Sequence, residues 1–258
     1  PTRPCGWTPT REAEVATALQ TLGASFVKAA RGGYDGRGQF EASGPGDAPA
    51  AYASLAGEAS IVERALPIER EISVMVARRP NGDTAVYPPA LNHHEQRILT
   101  WSVLPAPIDP HLAARAEEIA RGIAAALAIE GLVCVELFVV DGDLLVNELA
   151  PRPHNSYHAS VAGSATSQFE QHARAVCDLP LGSTQSIRPA AIANLLGDAW
   201  AGGEPAFERA LELPGVRVHL YGKSARPGRK MGHLSATADT PDAAVALVKE
   251  AKARLGQA

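Results

Sequence analysis

Two glutamates in an apolar hairpin are the first residues whose types and spacing suggest chemistry. Glu136 lies among Val133, Cys134, Val135, Leu137 and Phe138, and Glu148 among Leu144, Leu145, Val146 and Leu149. Both are equally far from Gly142, so a three-residue turn at Asp141-Gly142-Asp143 predicts them opposite each other on one face of paired strands. Two like charges so placed repel each other and resist burial. A divalent cation resolves that conflict, and Mg²⁺ suits a few carboxylates combined with phosphate oxygens. The competing reading sends one glutamate to solvent or to an arginine such as Arg152, which a two-residue turn would produce by slipping the register.

Next to this pair runs Asn147-Glu148-Leu149-Ala150-Pro151-Arg152-Pro153-His154-Asn155-Ser156-Tyr157-His158. Two prolines hold Arg152 in extended backbone, and a polar run this dense beside a candidate metal pair reads as a site lining. His154 and His158 have the i, i+4 spacing of a zinc helix but no HExxH, and Pro151 and Pro153 argue against a helix. Ser156 with His158 lacks the strand–elbow–helix context of a nucleophile. His93-His94 reads, in isolation, as a surface pair.

Upstream, Arg31-Gly32-Gly33-Tyr34-Asp35-Gly36-Arg37-Gly38-Gln39 carries four glycines in seven positions, flanked and crossed by Lys28, Arg31 and Arg37. Such a backbone can fold round an anion with its N–H groups pointing inward; a flexible hairpin is the alternative. Dinucleotide and Walker loops run strand, loop, helix, whereas Gln39-Phe40 here reads as strand, so the segment is a flap over phosphates if it binds any. Downstream, Lys223, Arg226, Arg229 and Lys230 place four positive charges in eight residues. That is either a solvated turn or a clamp for a monophosphate.

Irregularly alternating elements must position these groups. A helix is expected from Thr8-Pro9, with Val15, Leu19 and Leu22 on one face and Gly23 at its end. Strands follow at Ser25 to Ala30, around Gln39-Phe40, and at Ile61 to Glu63, with a helix opened by Asp47 and Pro49 between the last two. Glu71 to Arg78 and Thr84 to Tyr87 read as a hairpin turned at Pro80-Asn81-Gly82-Asp83. Asp109-Pro110 caps a helix with Leu112, Ala116, Ile119, Ile123 and Leu127 at helical spacing and Gly131 as its stop. The Leu132–Val140 and Leu144–Leu149 strands form the glutamate hairpin. Short strands near Ala190–Asn194 and Val216–Leu220 and a helix from Pro241 to about Leu255 close the chain. The class is α+β with a largely antiparallel sheet.

Composition bounds the partners. The 258 residues are 46% apolar and 20% charged, enough for a real core in one large domain or two small ones. A net charge of -4 argues against a nucleic-acid or anionic-membrane binder, and no apolar run reaches a bilayer span. Cys5, Cys134 and Cys177 form neither a disulfide framework nor a zinc pattern, so a reducing cytoplasm is expected, with Cys134 and Cys177 as buried packing residues. The chain begins Pro1-Thr2 without Met, as a processed chain or a piece of a longer one would.

The stretches RGGYDGRGQ at 31–39, IVER at 61–64, NHHEQRIL at 92–99, VNELAPRPHNS at 146–156, TSQFEQHARAVCDLPLG at 166–182, NLLGD at 194–198 and RPGRKMGHL at 226–234 keep one order over nearly the whole chain. With them the sequence resembles the ATP-grasp enzymes and, within these, the family of N5-carboxyaminoimidazole ribonucleotide synthetases. The resemblance implies an ATP-grasp lid over residues 1–65, a core over 66–188 and a C-terminal segment over 189–258. It implies a ligase of purine biosynthesis that uses ATP, Mg²⁺ and bicarbonate to carboxylate the amine of aminoimidazole ribonucleotide through carboxyphosphate. A cytoplasmic homodimer is the expected assembly.

Site residues are implied position by position. Lys28 would hold the ATP phosphates, under a loop including Gly33, Tyr34, Asp35, Gly36, Arg37, Gly38 and Gln39. Glu63, Arg64, Ala65 and Leu66 would read adenine, Glu71 the ribose, and His94 would stand in the nucleotide site, with Asn147 beside the phosphates. Glu136 and Glu148 would bind Mg²⁺. Arg152, His154 and Asn155, with Tyr34, would line the bicarbonate and ribonucleotide pocket, and Lys223, Arg229 and Lys230 would hold the ribonucleotide phosphate.

The sequence departs from the family pattern in three ways. Tyr157 stands where glycine is usual, and a phenol there is expected beside the pocket, narrowing it or altering the loop. Arg97 also replaces a usual glycine. The family carries an N-terminal α/β domain, about one hundred residues by ordinary domain size, ahead of the point where this chain begins. A non-catalytic ATP-binding module and a related carboxylate–amine ligase with another acceptor are the alternatives.

Overall fold

The computed structural model describes residues 6–31 and 38–256. The chain divides into two compact units, one made of Pro1–Glu69, Glu95–Ile98 and Phe138–Asn147, the other of Arg70–His94, Leu99–Leu137 and Glu148–Ala258. Both are α+β.

In the first unit, β1 (Gly6–Trp7), β2 (Ser25–Ala29), β3 (Gln39–Ala42) and β4 (Ser60–Arg64) form a sheet in the order β1-β4-β2-β3. Its core is Val15, Ala18 and Leu19 of α1 (Glu12–Leu22) and Ala51 of α2 (Ala48–Ser54), packed with Val27 and Val62. Helix α1 begins three residues later than Thr8-Pro9 suggests. The Pro9 carbonyl is used by the Ser60 N–H, and Glu14 reaches back to accept from the Thr10 N–H at 2.8 Å, so capping falls on the later turn.

The second unit holds most of a nine-stranded sheet. Its strands are β5 (Arg70–Arg78), β6 (Thr84–Val86), β7 (Ala90–Glu95), β8 (Ile98–Leu104), β9 (Gly131–Val140), β10 (Asp143–Ala150), β11 (Ala190–Leu196), β12 (Arg217–Leu220) and β13 (Lys230–Thr237). The order is β10-β9-β5-β7-β8-β11-β13-β12, and β6 pairs with the end of β5 that β7 leaves open. Helices α3 (Pro110–Ala126), α4 (Ser160–Gly163), α5 (Gln168–Val176), α6 (Phe207–Leu211) and α7 (Pro241–Arg254) complete it. One core joins Met75, Tyr87, Leu104, Leu132, Tyr157 and Ile192; a second joins Leu195, Leu234 and Val248. No described helix is long and apolar enough to cross a membrane.

Several expectations need correction. The buried stripe of α3 is Ala116, Ala120 and Ala124, while Leu127 is exposed, because small residues let the helix sit close to β5. Gly131 does not stop α3 but opens β9 with φ +102°. The β9–β10 loop has two residues, not three: Asp141 and Gly142 at φ +51° and +75° make the turn that matches strand twist. Cys177 is exposed, as the residue that ends α5, whereas Cys134 is buried.

Candidate active site

Strands β9 and β10 deliver Glu136 and Glu148, and the extended segment after β10 brings His154 to them. One ligand atom from each of the three lies within 4.8 Å of the others. A regular two-residue hairpin would pair Glu136 with Asn147 and turn Glu148 to the other face. The turn therefore differs from the expectation, but the carboxylates still converge.

Glu136 and His154 are nearly enclosed, with Nε2 of His154 at 3.1 Å from Oε1 of Glu136, while Glu148 is exposed. Burial penalises charge on Glu136, yet its pKa is lowered by His154, with His94 and Lys230 adding to the effect. Burial likewise opposes the charged imidazole, but Cys134 and Glu136 beside it raise the pKa of His154. The two carboxylates supply the oxygen ligands that a hard divalent cation prefers, while His154, its pKa raised, is the cationic partner of Glu136.

Buried hydroxyls anchor His154. Its Nδ1 lies 2.9 Å from Ser156 Oγ, which accepts from Ser73 Oγ at 2.8 Å; Ser73 in turn accepts from Asn92 Nδ2 at 3.1 Å. Ser102 donates to the Ser156 carbonyl at 3.0 Å, and Gln168 brackets the His154 backbone. Sequence reasoning missed Ser73, Asn92, Ser102 and Gln168 as site-shaping residues. The available signal was a lone serine inside an apolar strand, Ile72-Ser73-Val74, which is fully buried.

The remaining candidates fall into smaller groups. On neighbouring strands of the second unit, Nδ1 of His94 is 2.9 Å from Oε2 of Glu71, and His93 stacks on Trp101 at 5.0 Å. In the first unit, Lys28 on β2 donates to Glu63 on β4 at 2.6 Å. Arg64 is exposed, the Ala65 N–H donates to Ala24, and the Leu66 carbonyl accepts from Ile68. Gly38 accepts from the Ala29 N–H at 2.7 Å, and Gln39 pairs in register with Lys28. Gly33, Tyr34, Asp35, Gly36 and Arg37 lie outside the described residues.

Asn147 is half-buried, and Asn155 opens a 3-10 turn over Asn155–Tyr157. Arg152 is exposed, its guanidinium donating to the Pro153 carbonyl at 3.1 Å. In and before β13, Lys223 reaches the Lys230 carbonyl at 3.5 Å and Arg229 donates to the Ser224 carbonyl at 3.0 Å.

Tyr157 does not line a pocket. Its side chain is fully buried, and its hydroxyl donates to the Ser73 and Pro88 carbonyls, each at 2.9 Å. Its ring meets Tyr87 edge-on at 5.6 Å. The residue sits in a 3-10 turn and is absent from the positive-φ positions, so nothing in this backbone requires glycine.

Residues 6–169 match the family model described as the ATP-grasp domain, which is more than half of the chain. The chain belongs to the ATP-grasp family. Residues 190–246 of this ATP-grasp chain match a second model, the phosphoribosylaminoimidazole carboxylase C-terminal domain. The N5-carboxyaminoimidazole ribonucleotide synthase of Vibrio cholerae is 41% identical over 235 residues, 88% of this chain and 60% of that protein. The chain spans 51% to 60% of the length of curated relatives such as this one and that of Mycobacterium bovis.

Solved structures agree. An N5-carboxyaminoimidazole ribonucleotide synthetase solved as its ADP complex superposes with a TM-score of 0.90 at 36% identity, covering 99% of this chain and 68% of the other. The synthase of Aspergillus clavatus, solved with ADP and 5-aminoimidazole ribonucleotide, gives 0.86 at 28% identity, covering 99% and 69%.

Proposed function

We propose that the chain catalyses ATP- and bicarbonate-dependent carboxylation of the amine of 5-aminoimidazole ribonucleotide, giving N5-carboxyaminoimidazole ribonucleotide in purine biosynthesis. It is a carbon–nitrogen ligase on this reading, working as a cytoplasmic homodimer, with residues 1–65 as lid, 66–188 as core and 189–258 as C-terminal segment. The observation that carries the reading is the convergence of Glu136, Glu148 and His154 in an ATP-grasp fold.

Bicarbonate is a poor carboxyl donor because hydroxide leaves badly. Attack of its oxygen on the γ-phosphorus of ATP releases ADP and gives carboxyphosphate; loss of phosphate frees CO₂, which the ribonucleotide amine captures with release of a proton. Such phosphoryl transfer depends on positioning and charge neutralisation more than on a nucleophilic side chain. Lys28 exchanges Glu63 for the phosphates, Glu63 then faces the adenine amino group together with Arg64, Ala65 and Leu66, Glu71 takes the ribose hydroxyls, and His94 stands in the nucleotide site. Glu136 and Glu148 would hold Mg²⁺, which when bound neutralises phosphate charge. Asn147 lies beside the phosphates. Arg152, His154 and Asn155 orient bicarbonate and the amine, Lys223, Arg229 and Lys230 hold the ribonucleotide phosphate, and the glycine-rich segment at 32–38 excludes water.

ADP release measured with bicarbonate, with and without aminoimidazole ribonucleotide, tests the assignment. Turnover should rise at least about tenfold with the ribonucleotide. ADP release indifferent to it would remove this acceptor. A phenol beside the pocket would favour a ligase with another acceptor, but Tyr157 is a core residue and gives that alternative no support.

A further inference from the structure

We propose that Gln168 is a positioning residue that holds His154 in its working place. Its side chain is fully buried, and every polar atom of its carboxamide is committed. Oε1 accepts from the His154 N–H at 2.8 Å, while Nε2 donates to the His154 carbonyl at 3.0 Å. The second N–H of Nε2 faces Nδ1 of His158, also at 3.0 Å. One amide thus grips both backbone polar groups of the residue whose side chain meets Glu136.

Gln168 is itself fixed. It is the first residue of α5, whose N-cap Ser167 accepts from the Glu170 N–H, and its own N–H donates to Ser160 Oγ at 3.0 Å. The grip therefore comes from a helix end and not from a mobile loop. His158, the third partner, begins a stack of rings with His233 at 4.6 Å and then His219 at 4.4 Å. Tyr221 sits 2.8 Å from His233 Nδ1, so Gln168 also joins the His154 segment to strands β12 and β13, where Lys230 lies. A donor pair is needed at Nε2 and an acceptor at Oε1, which glutamine supplies and no apolar residue of the same size does.

The inference rests on the proposed role of His154, so its test has one arm that does not depend on turnover. Gln168→Leu and the isosteric Gln168→Glu are compared with the parent chain by thermal unfolding, by the ¹⁵N resonances of the His154 ring, and by ADP release with bicarbonate and ribonucleotide. A buried glutamate that takes up a proton can still accept from the His154 N–H and donate once, so Gln168→Glu should retain more function than Gln168→Leu. We expect the His154 resonances to move in both. We also expect kcat to fall about 10- to 100-fold in Gln168→Leu, less in Gln168→Glu, with KM for ATP within about twofold. His154 resonances at their parent positions in a folded variant would overturn the proposal. So would a loss of activity that tracks the melting temperature alone in both variants.

Discussion

Nε2 of His154 stands 3.1 Å from Oε1 of Glu136, so one nearly enclosed carboxylate neighbours both an imidazole and the exposed carboxylate of Glu148. This relationship resolves the like-charge conflict that the hairpin creates. His154 compensates Glu136 inside the fold, while Glu148 remains on the open side of the cluster, where a cation and phosphate oxygens can reach it.

Glu148→Gln should therefore leave the fold intact and reduce ADP release by on the order of 100-fold or more, because it removes a charged ligand without changing shape. Circular dichroism and a Mg²⁺ titration of turnover check this. An unchanged rate with unchanged Mg²⁺ dependence would take Glu148 out of the metal site.

Arg229 donates from its guanidinium to the Ser224 carbonyl, which holds the head group against the loop before β13. Arg229→Ala should raise KM for the ribonucleotide by about tenfold, the worth of one charge-assisted contact, with KM for ATP little changed. Steady-state kinetics in each substrate decide the matter. Equal effects on both would remove Arg229 from the phosphate clamp.

Tyr157→Phe removes one hydroxyl from two buried carbonyls, those of Ser73 and Pro88. The variant should lose about 1–3 kcal/mol of stability in urea unfolding while kcat holds. A lower kcat at unchanged stability would return Tyr157 to the acceptor pocket.

Stability should fall in acid. Burial, with neighbouring histidines and, for His158, Lys230, pushes His158 down to about 4 and His233 to about 3. Above pH 6.5 both rings are neutral in folded and unfolded chains, and their contribution is fully present. Between 6.5 and those lowered values the unfolded chain takes up protons that the folded chain refuses, costing up to roughly 1.4 kcal/mol per pH unit per ring. His154 acts in the opposite sense: its raised pKa stabilises the fold below its ordinary value and that contribution is lost as the pH climbs. Urea unfolding at pH 7, 6 and 5 should show the acid loss, and a flat profile would contradict the neutral stack.

The hairpin and the polar run after it were legible because charges stand out in apolar strands and prolines mark extended chain. Strands β7 and β8 were not, because their turn is Gln96-Arg97 at φ +50° and +67°, with none of the Asn, Asp or Gly that usually announces such a turn. Arg97 tolerates that conformation while paired to Glu41 at 3.0 Å and lying over Phe26 at 5.4 Å, contacts invisible along the chain. Helices α4 and α5 and the hydroxyls behind His154 were hidden for a related reason. Nothing along the chain says that Ser73 and Gln168 face His154, and only tertiary contacts bring them, with Ser156, into one buried network.

If phosphorylation activates bicarbonate, one of its oxygens must leave in the released phosphate, and an isotopic label follows it. With [¹⁸O]bicarbonate, ATP and aminoimidazole ribonucleotide, the phosphate released by the chain should carry one ¹⁸O transferred from bicarbonate. Phosphate released without label would mean that ATP is cleaved by water and that bicarbonate is not phosphorylated.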